Sequence, residues 1–318
     1  MQALYKHELT DKLRMKTVLA YGEDRFEFKL GSLFFNLKTH PVSNRLEFSY
    51  NLARGVTMNI GQDILYVPYD IALRAPQPPR PGEPDSGPFA TKQPRYVAQS
   101  DTLYQPAAYI EFELVPHERV RVVSGFRTDY TKETKRWDPN PRLNARYLVH
   151  KEFPKTTVKG GVGIFTQPPQ PQETAAVFGS PGLSSNRAIH YSTGVEQEIS
   201  RQVEVSVEGF YKQLDSQVGR RPSADGNFAY NNDGTGKVIG LETLLRYKPD
   251  ARFFGWVAYT LSRSTRREPG QAETLFQYDQ THILTVLGSY QLGRGWEFGA
   301  RFRFTSGSLE TPCNGGIL

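Results

Sequence analysis

Apolar and polar side chains alternate with a period of two through most of this chain. From Trp296 the even positions carry Trp296, Phe298, Ala300, Phe302 and Phe304, and the odd ones Glu297, Gly299, Arg301, Arg303 and Thr305. Successive side chains of a strand point to opposite faces, so this segment has one greasy face and one charged face. Val203, Val205, Val207, Gly209 and Tyr211 oppose Glu204, Ser206, Glu208, Phe210 and Lys212 in the same way. Ile239, Leu241, Thr243, Leu245 and Tyr247 oppose Val238, Gly240, Glu242, Leu244 and Arg246. Looser alternation runs through 103–115, 120–130, 143–150, 156–166, 191–199, 253–263 and 282–292. Further strands are predicted near 3–9, 12–29, 32–52 and 56–71, which makes about 14 in all. The segments 12–29 and 32–52 exceed the ~9–11 residues that cross a bilayer at a tilt, so they are predicted to project as a hairpin.

The connections also alternate. Short links fall at 116–119, 151–155, 200–202, 248–252 and 293–295, with front turns at 10–11 and 53–55. Long links fall at 75–100, 132–141, 167–188, 219–235 and 265–281. Short turns on one side and long loops on the other are the rhythm of an outer-membrane barrel, which a soluble sandwich has no reason to keep. The fold class expected is therefore all-β, an antiparallel transmembrane β-barrel occupying residues 1–318 as one domain. The proline-rich stretch 75–88 is assigned to a surface loop, because proline cannot serve inner strands. Its alternative is a flexible linker between two domains.

Composition agrees with strands. Aromatic residues make up 12%, with 17 Tyr and 19 Phe against 3 Met. Mean hydropathy is −0.54, and no run approaches the ~18–20 apolar residues of a membrane helix. Alternating faces average out in such a scale, so a barrel remains open. The net charge is +6, with Lys and Arg scattered rather than striped, which argues against nucleic-acid binding. Cys313 is the single cysteine, so an internal disulfide is excluded. No apolar signal core stands at the start; the chain either stays in the cytoplasm or lacks the front of its gene product.

Several segments carry a more specific likeness. They are Pro106-Ala107-Ala108-Tyr109-Ile110-Glu111, Gly125-Phe126-Arg127-Thr128-Asp129-Tyr130, and Asn140-Pro141-Arg142-Leu143-Asn144-Ala145-Arg146-Tyr147. Gly161-Val162-Gly163-Ile164-Phe165-Thr166-Gln167-Pro168-Pro169, His190-Tyr191-Ser192-Thr193-Gly194-Val195-Glu196 and Gly209-Phe210-Tyr211-Lys212 follow. Gly240-Leu241-Glu242, Tyr259-Thr260-Leu261-Ser262-Arg263-Ser264 and Phe276-Gln277-Tyr278-Asp279-Gln280-Thr281-His282 complete the series. In order and spacing, over roughly two-thirds of the chain, these resemble the barrel of TonB-dependent receptors. The resemblance implies 22 strands around an N-terminal plug. About five strands before Met1 and about three after Leu318 would restore that count, so the chain reads as a partial barrel, without its plug and inactive alone.

The resemblance also implies function. The whole protein would be an outer-membrane receptor of a Gram-negative bacterium, taking up a ferric siderophore, cobalamin or a glycan. Its partners would be the TonB complex, reached through the missing plug and its coupling box, together with outer-membrane lipid and the nutrient. Neither covalent chemistry nor a cofactor is implied. Candidate ligand contacts are the loop residues Phe178, Arg187, Arg220, Arg221, Phe228 and Tyr230, whose charge and rings suit an anionic, partly aromatic chelate. Ordinary loop composition is the alternative.

No catalytic or metal constellation emerges. The six histidines show no pair at ligand spacing, and Asp233-Gly234-Thr235-Gly236-Lys237 lacks the hydroxyl of a phosphate loop. Glu196, Glu198, Glu204 and Glu208 are assigned to a solvated lumen wall rather than to hydrolysis. Three rivals remain: a passive porin-like channel, an outer-membrane enzyme barrel, and a soluble strand-rich module. The last would turn Phe298, Phe302, Val205 and Leu245 into a core.

Overall fold

The computed structural model describes residues 1–76, 93–174, 179–222 and 228–307. They form one antiparallel sheet of 17 strands. In chain order these are β1 (Gln2–Thr10), β2 (Leu13–Tyr21), β3 (Asp24–Leu30), β4 (Leu33–Thr39), β5 (Val42–Ala53), β6 (Val56–Ala75), β7 (Arg95–His117), β8 (Val120–Thr131) and β9 (Arg136–His150). Then come β10 (Thr156–Gln167), the short helix α1 (Pro171–Thr174), β11 (Asn186–Glu198), β12 (Val203–Pro222), β13 (Phe228–Tyr247), β14 (Phe253–Arg267), β15 (Thr274–Leu275), β16 (His282–Gly293) and β17 (Trp296–Thr305). From β5 onward each strand pairs with the next, except that β14 pairs both with the two-residue β15 and, along most of its length, with β16. Among the described residues β1 and β17 form the two open edges.

The hairpin predicted at 12–29 and 32–52 is present, but each limb is broken once. β2 pairs with β5 and β3 with β4, and the breaks face each other: the Gly22 amide donates to the Pro41 carbonyl at 2.9 Å. Proline lacks the N–H that would carry the ladder through this point. With each broken limb taken as one pass and β15 as a rung, the strands make 14 passes.

Two predicted loops are shorter than the hydrophobic pattern suggests. β8 and β9 are joined at 132–135 rather than 132–141, and β12 and β13 extend to Pro222 and Phe228 instead of stopping at 219 and 235. Backbone pairing continues past the apolar band, where one-sided burial no longer demands alternation. Pro139 and Pro141 are tolerated in β9 because β10 stops pairing with β9 at Arg142, just below them. Likewise β6 and β7 pair out to Ala75 and Arg95. The proline-rich stretch from residue 77, and Cys313, lie outside the described residues. Among the described residues no helix is long and apolar enough to cross a membrane.

Register assigns every face. Lys159, Glu196, Glu208 and Glu242 share one side, while Val158, Val195, Val207 and Leu241 share the other. The apolar side is open: Phe298, Phe302, Leu241 and Leu245 are exposed rather than packed into a core. The outward run Val203–Tyr211, at about 3.3 Å per residue and a tilt near 40°, covers roughly 23 Å, close to the height of a bilayer's apolar band. Ring pairs lie along this face, Tyr66 with Tyr104 and Tyr191 with Tyr211 toward one end and Tyr247 with Phe253 toward the other. The main buried apolar cluster is small: Leu183, Val218 and Tyr230, at the long-loop rim.

Candidate functional site

The polar face splits into two zones. Toward the short turns its charges are neutralised across strands. Lys159 reaches Glu208 at 2.6 Å and Glu196 at 3.4 Å, and Glu196 also takes Arg146. Arg246 meets Glu204 at 3.0 Å, and Lys248 meets Glu198 at 2.7 Å. The four glutamates read as lumen wall are all in these pairs. On β5 to β8 the neutralised charges reach the long-loop side instead: Asp63 holds Arg45 and Arg127, each at 2.5 Å, and Arg127, opposite Asn140, also grips Asp129.

Toward the long loops a second row is built differently. Arg142, Gly163, His190 and Lys212 are direct partners across β9, β10, β11 and β12. Gly163 has no side chain, and the Phe165 ring fills the space above it; a Cβ on Gly163 would stand 3.0 Å from that ring. Phe165 therefore lies between Arg142, whose guanidinium is 5.6 Å from the ring centre, and His190, whose ring is 4.4 Å away. Lys212 sits 5.3 Å over Phe210. Among the described residues neither Arg142 nor Lys212 has a carboxylate partner. The result is an alternation of cation and ring along one level of the lumen wall.

A pocket of about 250 Å³ opens at the Arg142 end, lined by Arg127, Asp129, Asn140, Arg142, Phe165 and Thr166 among others. Its polar wall is pre-arranged: the Asn140 amide donates to Asp129 at 3.1 Å, and the Thr166 hydroxyl donates to Asn140 at 3.1 Å. Ser184 and Ser185 are fastened above this corner. Ser185 donates to Asp138 at 2.5 Å, and Asn232 clasps Ser184 through two 2.8 Å bonds.

The loop candidates fall in different places. Arg187 points to the apolar face, 3.6 Å from Asp215. Tyr230 is 6% exposed beside Leu183 and Val218, where it holds the loop in place. Arg220, Arg221 and Phe228 lie at the tip of the β12–β13 hairpin, Arg220 opposite Tyr230. Phe178 lies outside the described residues. The row itself was missed because its members are four separate strand residues, united only by register. All four, Arg142, Phe165, His190 and Lys212, stand within the segments that carried the family resemblance. Among the described residues no three His, Cys, Asp or Glu side chains gather as a metal set.

A family model for the TonB dependent receptor-like β-barrel matches residues 2–315. This chain belongs to the TonB-dependent receptor barrel family. Among solved structures, the FrpB iron transporter of Neisseria meningitidis is similar with a TM-score of 0.71 at 13% identity, over 95% of this chain and 49% of that one. FpvA of P. aeruginosa, solved with heterologous pyoverdines, matches with a TM-score of 0.71 at 12% identity, over 96% and 45%. The copper transporter OprC matches with a TM-score of 0.64 at 11% identity, over 93% and 50%. No curated protein sequence matches the chain. The chain thus spans about half the length of these relatives, and the family is one of receptors and transporters, not of enzymes.

Proposed function

We propose that this chain is the lumen wall of an outer-membrane receptor that takes up an anionic, ring-bearing metal chelate. The row Arg142–Phe165–His190–Lys212 carries that reading, because unpaired cations interleaved with exposed rings match negative charge and flat ligand groups together. FrpB is an iron transporter and FpvA was solved with bound pyoverdines, which supports the class of ligand. The hairpin-tip residues Arg220, Arg221 and Phe228 make the first contacts in this scheme, and Arg187, on the apolar face, does not. Uptake is energised by the TonB complex through a plug, in the outer membrane of a Gram-negative bacterium. The open edges β1 and β17 are closed by further strands of the working receptor, and the chain alone is inactive.

The test uses the full chain in detergent, titrated with the ferric complex of 2,3-dihydroxybenzoate and followed by quenching of intrinsic fluorescence. Arg142→Ala and Lys212→Ala should each weaken binding about tenfold, a change of about 1.4 kcal/mol. Unchanged affinity in both variants sinks the assignment of the row.

A further inference from the structure

The row Tyr191–Tyr211–Ile239–Arg263 crosses β11 to β14 on the apolar face, each residue the direct partner of the next. The two tyrosine rings stack at 6.3 Å. Aromatic rings on such a face collect at the depth of the lipid headgroups, so the row marks that depth and Arg263 lies in it. Directly below, the paired Leu241 and Leu261 are exposed at acyl-chain depth. Directly above, Lys237 is the partner of Thr265.

Lys237, Ile239, Arg263, Thr265, Glu273 and Leu275 line a notch of about 310 Å³ here. Glu273 binds Lys237 at 3.0 Å. Arg263, by contrast, is exposed and has no carboxylate partner among the described residues. Lys237 and Arg263 outnumber the one carboxylate, so the notch is net positive. A guanidinium offers a planar fork that fits two phosphate oxygens at once.

We propose that this notch binds the phosphate headgroup of an anionic membrane lipid, whose chains lie down the Leu241–Leu261 wall. A free phosphate would satisfy the same cations, but it has no use for the apolar wall that continues from them. The proposal rests on the reading that the apolar face meets lipid.

Native mass spectrometry of the full chain released from detergent tests it, with dioleoyl phosphatidylglycerol and dioleoyl phosphatidylcholine as probes. The parent chain should retain the anionic lipid about fivefold more than the zwitterionic one. Arg263→Gln should bring that ratio close to one. Glu273→Gln, which removes the competing carboxylate, should raise it, a gain that misfolding does not produce. Equal retention of the two lipids by the parent, or a ratio indifferent to Arg263→Gln, overturns the proposal. Complete displacement of phosphatidylglycerol by millimolar inorganic phosphate also overturns it, assigning the notch to the free anion. A chain that is monodisperse without detergent removes the lipid-facing reading itself, a separate failure.

Discussion

Tyr109 lies flat over its cross-strand partner Gly61 and donates its hydroxyl to Glu47 at 2.7 Å. A Cβ at Gly61 would stand 2.6 Å from both the ring and the Leu46 carbonyl, and the carbonyl cannot swing aside. Gly61→Ala should therefore cost about 2 kcal/mol through overpacking, read as a lowered unfolding midpoint in detergent. Phe210 covers Gly240 in the same manner, which explains why a glycine interrupts the alternation of β13. Asp250 acts at a turn instead. It accepts the amides of Arg252 and Phe253 at 2.8 and 2.7 Å and the Tyr247 hydroxyl at 2.7 Å, and the Tyr247 bond leads in holding its carboxyl below the usual range. A depressed carboxylate contributes stability above the unfolded value of 3.8 that is lost as the pH falls through the lower folded value. Amide exchange at Arg252 and Phe253, corrected for intrinsic rate, should accelerate below pH 3.8 in the parent and should already be fast at neutral pH in Asp250→Ala.

At the scale of elements, lateral cohesion comes from ion pairs that cross strands as well as from the backbone ladder. Asp63 on β6 ties Arg45 on β5 to Arg127 on β8, skipping β7. Asp63→Asn leaves the exposed Arg45 without its carboxylate and the half-buried Arg127 with Asp129 alone, and should cost about 1 kcal/mol in denaturant unfolding. Adding Arg45→Gln should restore part of that loss. The loop 268–281 depends on another carboxylate: Asp279, 7% exposed, accepts the Ser264 amide at 2.6 Å and the Thr281 hydroxyl at 3.0 Å. Its role is to pin the loop against β14. Above the break at Pro41 the two faces exchange character. Phe26, Phe28, Phe35, Leu37 and Leu73 occupy the face that carries Arg45 and Asp63 lower down, and Asn36, Lys38 and Asp70 take the other.

For the whole molecule, the open apolar wall requires detergent or lipid. The purified full chain should be monodisperse in detergent and precipitate or associate on its removal, as size-exclusion chromatography with light scattering would record. A monodisperse aqueous product would restore the soluble-module alternative. The fold was legible because a strand with one apolar and one polar face must alternate, and 14 passes are readable from that constraint alone. The same constraint explains the errors: beyond the apolar band it lapses, so the ends of β9, β12 and β13 and the breaks at Gly22 and Pro41 left little trace in hydropathy. The candidate site was less legible. Arg142, Phe165, His190 and Lys212 are separated by long stretches of chain, and their meeting depends on cross-strand register. A shift of one residue in that register would send their side chains to the opposite face. The sequence by itself determined the class of fold and which face is apolar, because those follow from local alternation. Only the tertiary structure decided which cations are neutralised and which stay free, because charge pairing is a property of neighbours across strands.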